Sequence, residues 1–139
     1  MTYIFKQKLK ITDLVALESK TYRILLYEPE EYLGTLYSKY LLSDEFEIMH
    51  CLNHQEIHEY LESFKPQLLI YNTDADTDFM HGRLILKKNP HIKIITTAYN
   101  IGHDDVKHLM SSGVLGHINR RFTRPSDLVV LTKTFLSKD

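Results

Sequence analysis

PQLLIYNTD, residues 66–74, is an apolar run that ends in an amide and then an acid. Leu68, Leu69, Ile70 and Tyr71 follow one another without the polar alternation of a half-buried strand, so both faces of this strand must be covered. A parallel sheet with helices on either side meets that requirement. Pro66 restricts the chain just ahead of the run, and Asn72, Thr73 and Asp74 mark where it reaches water.

Four further segments are of the same kind: RILLYE from Arg23, FEIMHCL from Phe46, IKIITTA from Ile92 and VLGHIN from Val114. Between them the apolar period lengthens. Leu33, Leu36, Tyr37, Tyr40 and Leu41 fall on one helical stripe, and Ile57, Tyr60, Leu61 and Phe64 on another. Val106, Leu109 and Met110, then Leu128, Leu131 and Phe135, continue the pattern, while FMHGRLILKKN from Phe79 is a less regular helix with Gly82 inside it. Asn53 and Glu56 have capping-box spacing, Gly113 stands where a glycine ends the fourth helix, and Pro125 falls in the first turn of the last. Strand and helix thus alternate as (βα)5.

A chain of 139 residues, 43% hydrophobic and 25% charged, fits one globular domain, expected over residues 22–139 with an extension over 1–21. In that extension FKQKLKI alternates Lys6, Lys8 and Lys10 with Phe5, Leu9 and Ile11, as an edge strand does, and TDLVALESK reads as a short helix. A packed extension is the expected role, with a dimerisation arm or a membrane-surface segment as alternatives. The lone Cys51 forms no internal disulfide and no run resembles a leader or a membrane span, so a cytoplasmic protein is expected. Residues 1–80 carry 7 Lys/Arg against 14 Asp/Glu and residues 81–139 carry 10 against 4, so the chain is dipolar and able to steer a charged partner. No segment has the strongly basic character of a nucleic-acid-binding domain.

In an open parallel sheet, chemistry collects outside the carboxyl ends of the strands. The first strand delivers Glu28, Pro29 and Glu30 there, the third Asn72, the fourth Thr97 and Ala98, and the fifth Asn119, Arg120, Arg121 and Phe122. This set resembles the CheY-like receiver domain of two-component response regulators, over roughly residues 22–137. That family has an acidic pair after the first strand, a phosphoacceptor Asp after the third, Thr or Ser then Ala after the fourth, and Lys-Pro-Phe after the fifth. Here Glu28 and Pro29 occupy the acidic pair, Asn72 the phosphoacceptor, Thr97 the hydroxyl, and Arg120, Arg121 and Phe122 the last triplet; His117 falls at the family's aromatic switch position. The resemblance implies a flavodoxin-like three-layer sandwich with strand order 2-1-3-4-5.

It also implies a pseudo-receiver. An amide is a poor nucleophile and Pro29 removes an anionic ligand, so little phosphorylation, weak Mg²⁺ binding and no resident metal or cofactor are expected. Arg120 suits a carboxylate, and an ion pair with Glu28 or Glu30 is expected across a degenerate pocket of Glu28, Glu30, Asn72, Thr97 and Arg120. A cis bond before Arg121 would cost about 2.5–4 kcal/mol, so the loop is expected trans and reshaped relative to the family.

Simpler roles stand beside these: Asn72 capping the following turn, Thr97 bonding local backbone, His117 as a half-buried strand residue without switching, and Asp74, Asp76 and Asp78 as a solvated loop. A rival alignment makes Asp74 the phosphoacceptor, with Glu28 and Glu30 as metal ligands. His50, His54 and His58 are spaced by four, but only His54 and His58 share a helix face, so a surface pair is expected and not a metal site.

The expected function is a phosphorylation-independent, stand-alone signalling adaptor, not an enzyme, because no nucleophile with a positioned base and no glycine-rich phosphate loop is visible. In the resembled family partners bind the face of the fourth helix, fifth strand and fifth helix. Lys107, Arg121, Arg124 and Lys133 would there meet an acidic protein or a second copy. The alternatives are a nucleic-acid-associated regulator using Lys107, Arg120, Arg121, Arg124 and Lys133 and a working receiver phosphorylated on Asp74.

Overall fold

A computed structural model describes residues 22–43 and 45–137; the expectations for the extension over 1–21 lie outside the described residues. Among the described residues five strands, β1 (Tyr22–Tyr27), β2 (Phe46–Cys51), β3 (Leu68–Asn72), β4 (Lys93–Ala98) and β5 (Gly116–Asn119), alternate with five α-helices. These are α1 (Glu31–Leu41), α2 (His54–Ser63), α3 (Met80–Lys88), α4 (His103–Ser111) and α5 (Leu128–Ser137). All strand pairs are parallel and the order is β2-β1-β3-β4-β5, as the sequence implies. Among the described residues no helix is long and apolar enough to cross a membrane.

The near-continuous apolar runs are explained by the layers. Alternate residues of β1, β3 and β4 supply two cores. Leu25, Tyr27, Leu69, Tyr71 and Ile94 pack with Ile57, Ile85 and Leu109 of α2, α3 and α4, and Ile24, Leu26, Leu68, Ile70 and Ile95 pack with Leu41 of α1 and Leu128 of α5. The five residues of β3, flanked by a strand on each side, are all buried. Asn53 accepts the Glu56 N–H at 2.9 Å and Glu56 Oε1 accepts that of Leu52 at 2.7 Å, so the cap at α2 closes one residue earlier than the usual reciprocal box. Gly113, at φ +101°, ends α4 in a backbone region that few other residues tolerate.

Several local expectations are corrected. The fifth strand begins at Gly116 and not at Val114. Pro125 opens a separate 3-10 turn, Pro125–Asp127, ahead of α5. Tyr40, placed on the apolar stripe of α1, is 45% exposed, because the buried face is turned toward Gly34 and Leu41. A Cβ at Gly34 would overlap the His50 imidazole, and one at Gly82 would overlap the Phe79 ring. Gly82 inside α3 is therefore required by packing.

Candidate functional site

The carboxyl ends of β1, β3, β4 and β5 converge on an open cleft of about 560 Å³ lined by Glu28, Glu30, Tyr37, Asn72, Asp74 and Arg120, among others. Glu28, 3% exposed, is its centre. The Oε1 atom accepts from Arg120 Nη1 at 2.6 Å and from Asn72 Nδ2 at 3.0 Å, and Oε2 accepts the Glu30 N–H at 2.8 Å. The ion pair expected of Arg120 therefore forms with Glu28; Glu30 contributes its backbone, and its exposed side chain lines the cleft. A carboxylate has about four lone-pair directions, so three are committed to protein donors.

Asn72 is held at both ends of its amide. Its Oδ1 accepts the Asp74 N–H at 2.7 Å, the turn cap expected of it, which leaves Nδ2 facing Glu28. Arg120 is fixed by three contacts: the Glu28 carboxylate, the Tyr37 hydroxyl, to which Nε donates at 3.0 Å, and the Tyr37 ring, whose centroid lies 5.1 Å from the guanidinium carbon. The bond before Arg121 is trans, and the chain winds into the 3-10 turn Arg120–Phe122, with Asn119 Oδ1 accepting the Arg121 N–H at 3.0 Å. That turn aims Arg120 into the cleft and leaves Phe122 82% exposed.

The three loop aspartates have different fates. Asp74 accepts the Tyr99 N–H at 3.0 Å and the Asn100 N–H at 3.3 Å, tying the β3–α3 loop to the β4–α4 loop. Asp76 is not solvated as expected but 5% exposed, accepting from Tyr71 Oη at 2.8 Å and from the Gly82 N–H at 3.1 Å. It serves as a cap for α3, whose preceding residue, Phe79, is left-handed and offers no side-chain acceptor. Asp78 accepts the Met80 N–H at 3.2 Å.

Thr97 is buried, and its carbonyl accepts the Thr73 N–H at 2.8 Å. The hydroxyl that meets His117 belongs instead to Thr96, its register partner, 2.8 Å from His117 Nδ1. Burial lowers the pKa of His117, partly opposed by Asp74, and the buried Nε2 finds no partner among the described residues. His54, beside His58 on α2, is half-buried and not a plain surface residue. Its Nε2 meets Tyr71 Oη at 2.9 Å and its ring lies 4.6 Å from that of His81. Burial, then His81, lowers its pKa; burial and the bond to Asp76 raise that of Tyr71. No cluster of three or more His, Cys, Asp or Glu among the described residues has the geometry to hold a metal.

The expected partner residues divide. Arg121 stacks its guanidinium 4.8 Å from the centre of the Tyr99 ring and bonds Asn100, while Arg124, highly exposed, lies 3.2 Å from Asp127. Lys107 is exposed on α4. Lys133 stands apart, reaching Glu45 at 3.1 Å beside Phe46 on the β2 side of the molecule. The sequence does not mark Tyr37, Thr96 or Tyr99 as site residues, and it marks Asp76 only as part of a solvated loop.

No protein-family model matches the chain, and no curated protein matches it significantly. Solved structures do resemble it. A response regulator from Thermotoga maritima superposes with a TM-score of 0.75 at 18% identity, covering 84% of this chain and 98% of that one. An orphan response regulator of H. pylori gives 0.74 at 17% identity over 84% and 98%. An atypical orphan response regulator, described as having a phosphorylation-independent regulatory mechanism, gives 0.71 at 17% over 83% and 95%. The chain therefore has the receiver-domain fold.

Proposed function

We propose that this chain is a pseudo-receiver: a cytoplasmic signalling adaptor of the receiver fold that acts through protein contacts without phosphorylation. The observation that carries the reading is the occupancy of Glu28, whose carboxylate is shared by Arg120, Asn72 and the Glu30 N–H. A divalent cation needs several free oxygens at about 2.0–2.6 Å, and here it would meet a committed carboxylate and a guanidinium. Phosphoryl transfer would need an anionic nucleophile beside that ion, and Asn72 supplies a neutral amide. Asp74 does not replace it in this reading, because its carboxylate is held by the Tyr99 and Asn100 N–H groups.

With the pocket fixed, signalling falls to the surface beside it. Tyr99, Phe122, Arg121, Arg124 and Lys107 combine exposed aromatic area with positive charge, which favours an acidic protein partner or the acidic half of a second copy. Lys133 is left outside that surface by its place beside Glu45. The test is capture of partners by wild type and by Arg121→Glu/Arg124→Glu, each with and without acetyl phosphate and Mg²⁺. Capture lost on charge reversal and indifferent to acetyl phosphate is expected. Capture that acetyl phosphate strengthens would refute it.

A further inference from the structure

We propose that the face formed by α2 and α3 binds a second copy of this chain, across a two-fold axis that runs parallel to the two helices. The inference is independent of the pocket's chemistry, and the face is not the one that carries Arg121 and Arg124. Within α2, Glu56, Glu59 and Glu62 stand without a lysine or arginine; within α3, Arg83, Lys87 and Lys88 stand without an acid. Both helices follow parallel strands and pack on the same side of the sheet, α2 through Ile57 and α3 through Ile85, so they run in the same direction. They are neighbours, because the His54 and His81 rings, 4.6 Å apart, join their first turns. An acidic and a basic helix thus lie side by side and level.

Ile57 is buried against the sheet, and the helical period puts Glu59 and Glu62 on the opposite side of α2. On α3, Gly82 and Ile85 are buried, so Met80, Leu84 and Lys87 project outward, with Lys88 on the flank that His81 shares. All six are exposed, Met80 by 53% and Leu84 by 47%. Glu56 and Arg83 are engaged elsewhere: Glu56 accepts the Leu52 N–H, and Arg83 donates to the Asp78 carbonyl and to His108. Measured from the level of the two histidines, Glu59 and Glu62 lie about 7.5 and 12 Å along α2, and Lys87 and Lys88 about 9 and 10.5 Å along α3.

A two-fold axis over the seam between the helices, and parallel to them, sets α2 of each copy on α3 of the other and keeps every residue at its own height. Glu59 then meets Lys87 of the second copy and Glu62 meets Lys88, each pair matched in height to within about 1.5 Å, and both pairs occur twice. The same placement lays α2 of one copy over the exposed Met80 and Leu84 of the other. An axis at right angles to the helices would instead set α2 on α2 and α3 on α3, glutamate against glutamate and lysine against lysine. Charge therefore selects the parallel axis, and the chain itself supplies the self-complementary surface that an isologous contact requires. Exposed ion pairs are individually weak and are screened by salt, so the dimer is weak and salt-sensitive.

Sedimentation equilibrium of the full-length chain tests this. Wild type should dimerise in low salt, with a Kd at least about tenfold weaker in about 0.5 M salt. Glu59→Lys/Glu62→Lys and Lys87→Glu/Lys88→Glu should each weaken the low-salt dimer at least about tenfold. An equimolar mixture of those two variants should form a heterodimer, because both of its contacts then join lysine to glutamate. The chain with all four reversals has the net charge of wild type and opposite signs at every contact, so it should dimerise as wild type does; this rescue separates a broken interface from a broken fold. Arg121→Glu/Arg124→Glu should leave dimerisation unchanged. A wild type that stays monomeric in low salt up to about 1 mM, pairwise reversals that dimerise undiminished, or a fourfold reversal that does not recover would overturn the proposal. Dimerisation lost on reversing Arg121 and Arg124 would move the contact to that other face and overturn it equally.

Discussion

Asn72→Asp restores a carboxyl group at the end of β3, and the structure sets what this costs. The Asn72 amide lies 3.0 Å from Glu28 Oε1. Two carboxylates at that separation repel by about 5.5 kcal/mol at an effective dielectric of about 20. Proton uptake limits the loss. Holding an aspartic acid of ordinary pKa, about 3.9, neutral at pH 7 costs about 4 kcal/mol, and at pH 5 about 1.5 kcal/mol. Arg120, already 2.6 Å from Glu28, screens part of the repulsion. The variant should therefore be about 2–4 kcal/mol less stable than wild type at pH 7. The introduced group has its folded-state pKa raised above the unfolded value, so the deficit is greatest at high pH and shrinks as pH falls toward 5. Urea denaturation of both proteins at pH 5, 6 and 7 measures this. A variant as stable as wild type at pH 7, or a deficit that does not change with pH, would refute the contact between Asn72 and Glu28.

Arg120→Met should cost about 3–5 kcal/mol by stranding the buried Glu28 carboxylate, and the double variant Glu28→Gln/Arg120→Met should recover most of it in the same denaturation assay. Gly34→Ala should destabilise by about 1–3 kcal/mol through overlap with the His50 ring, with the loss of protection strongest in β2 and α1. His54 and His117 have folded pKa values pushed below the ordinary 6.5, chiefly by burial. The unfolded chain then binds protons first, so stability should be fully present above pH 6.5, fall on acidification, and level off below the folded values. His117→Leu should flatten part of that slope, with the titration of the two ring resonances as the check.

The parallel sheet was legible because doubly buried strands leave unbroken apolar runs, of which Leu68–Tyr71 is the clearest. An ion pair of Arg120 with Glu28 or Glu30 was legible because strand ends in such a sheet share one rim; that Glu28 is the partner was not, because both glutamates follow the same strand. What escaped was set by tertiary detail that periodicity does not carry. Tyr37 reads as a stripe residue, yet its hydroxyl and ring hold Arg120. Asp76 sits in an acid-rich loop that reads as solvated, but Tyr71 and the start of α3 bury it as their acceptor. Thr96 and Thr97 are adjacent and chemically alike; only the register with His117 selects Thr96 for that contact.

The most direct measurement is a titration of the isotopically labelled wild-type chain with Mg²⁺ and then beryllofluoride, followed by amide NMR. The account predicts no saturable shifts at Glu28, Asn72, Asp74 or Thr97, with the Arg120 side-chain resonance unmoved. Saturable, magnesium-dependent shifts centred on Asp74 and Glu28, with release of Arg120, would contradict it.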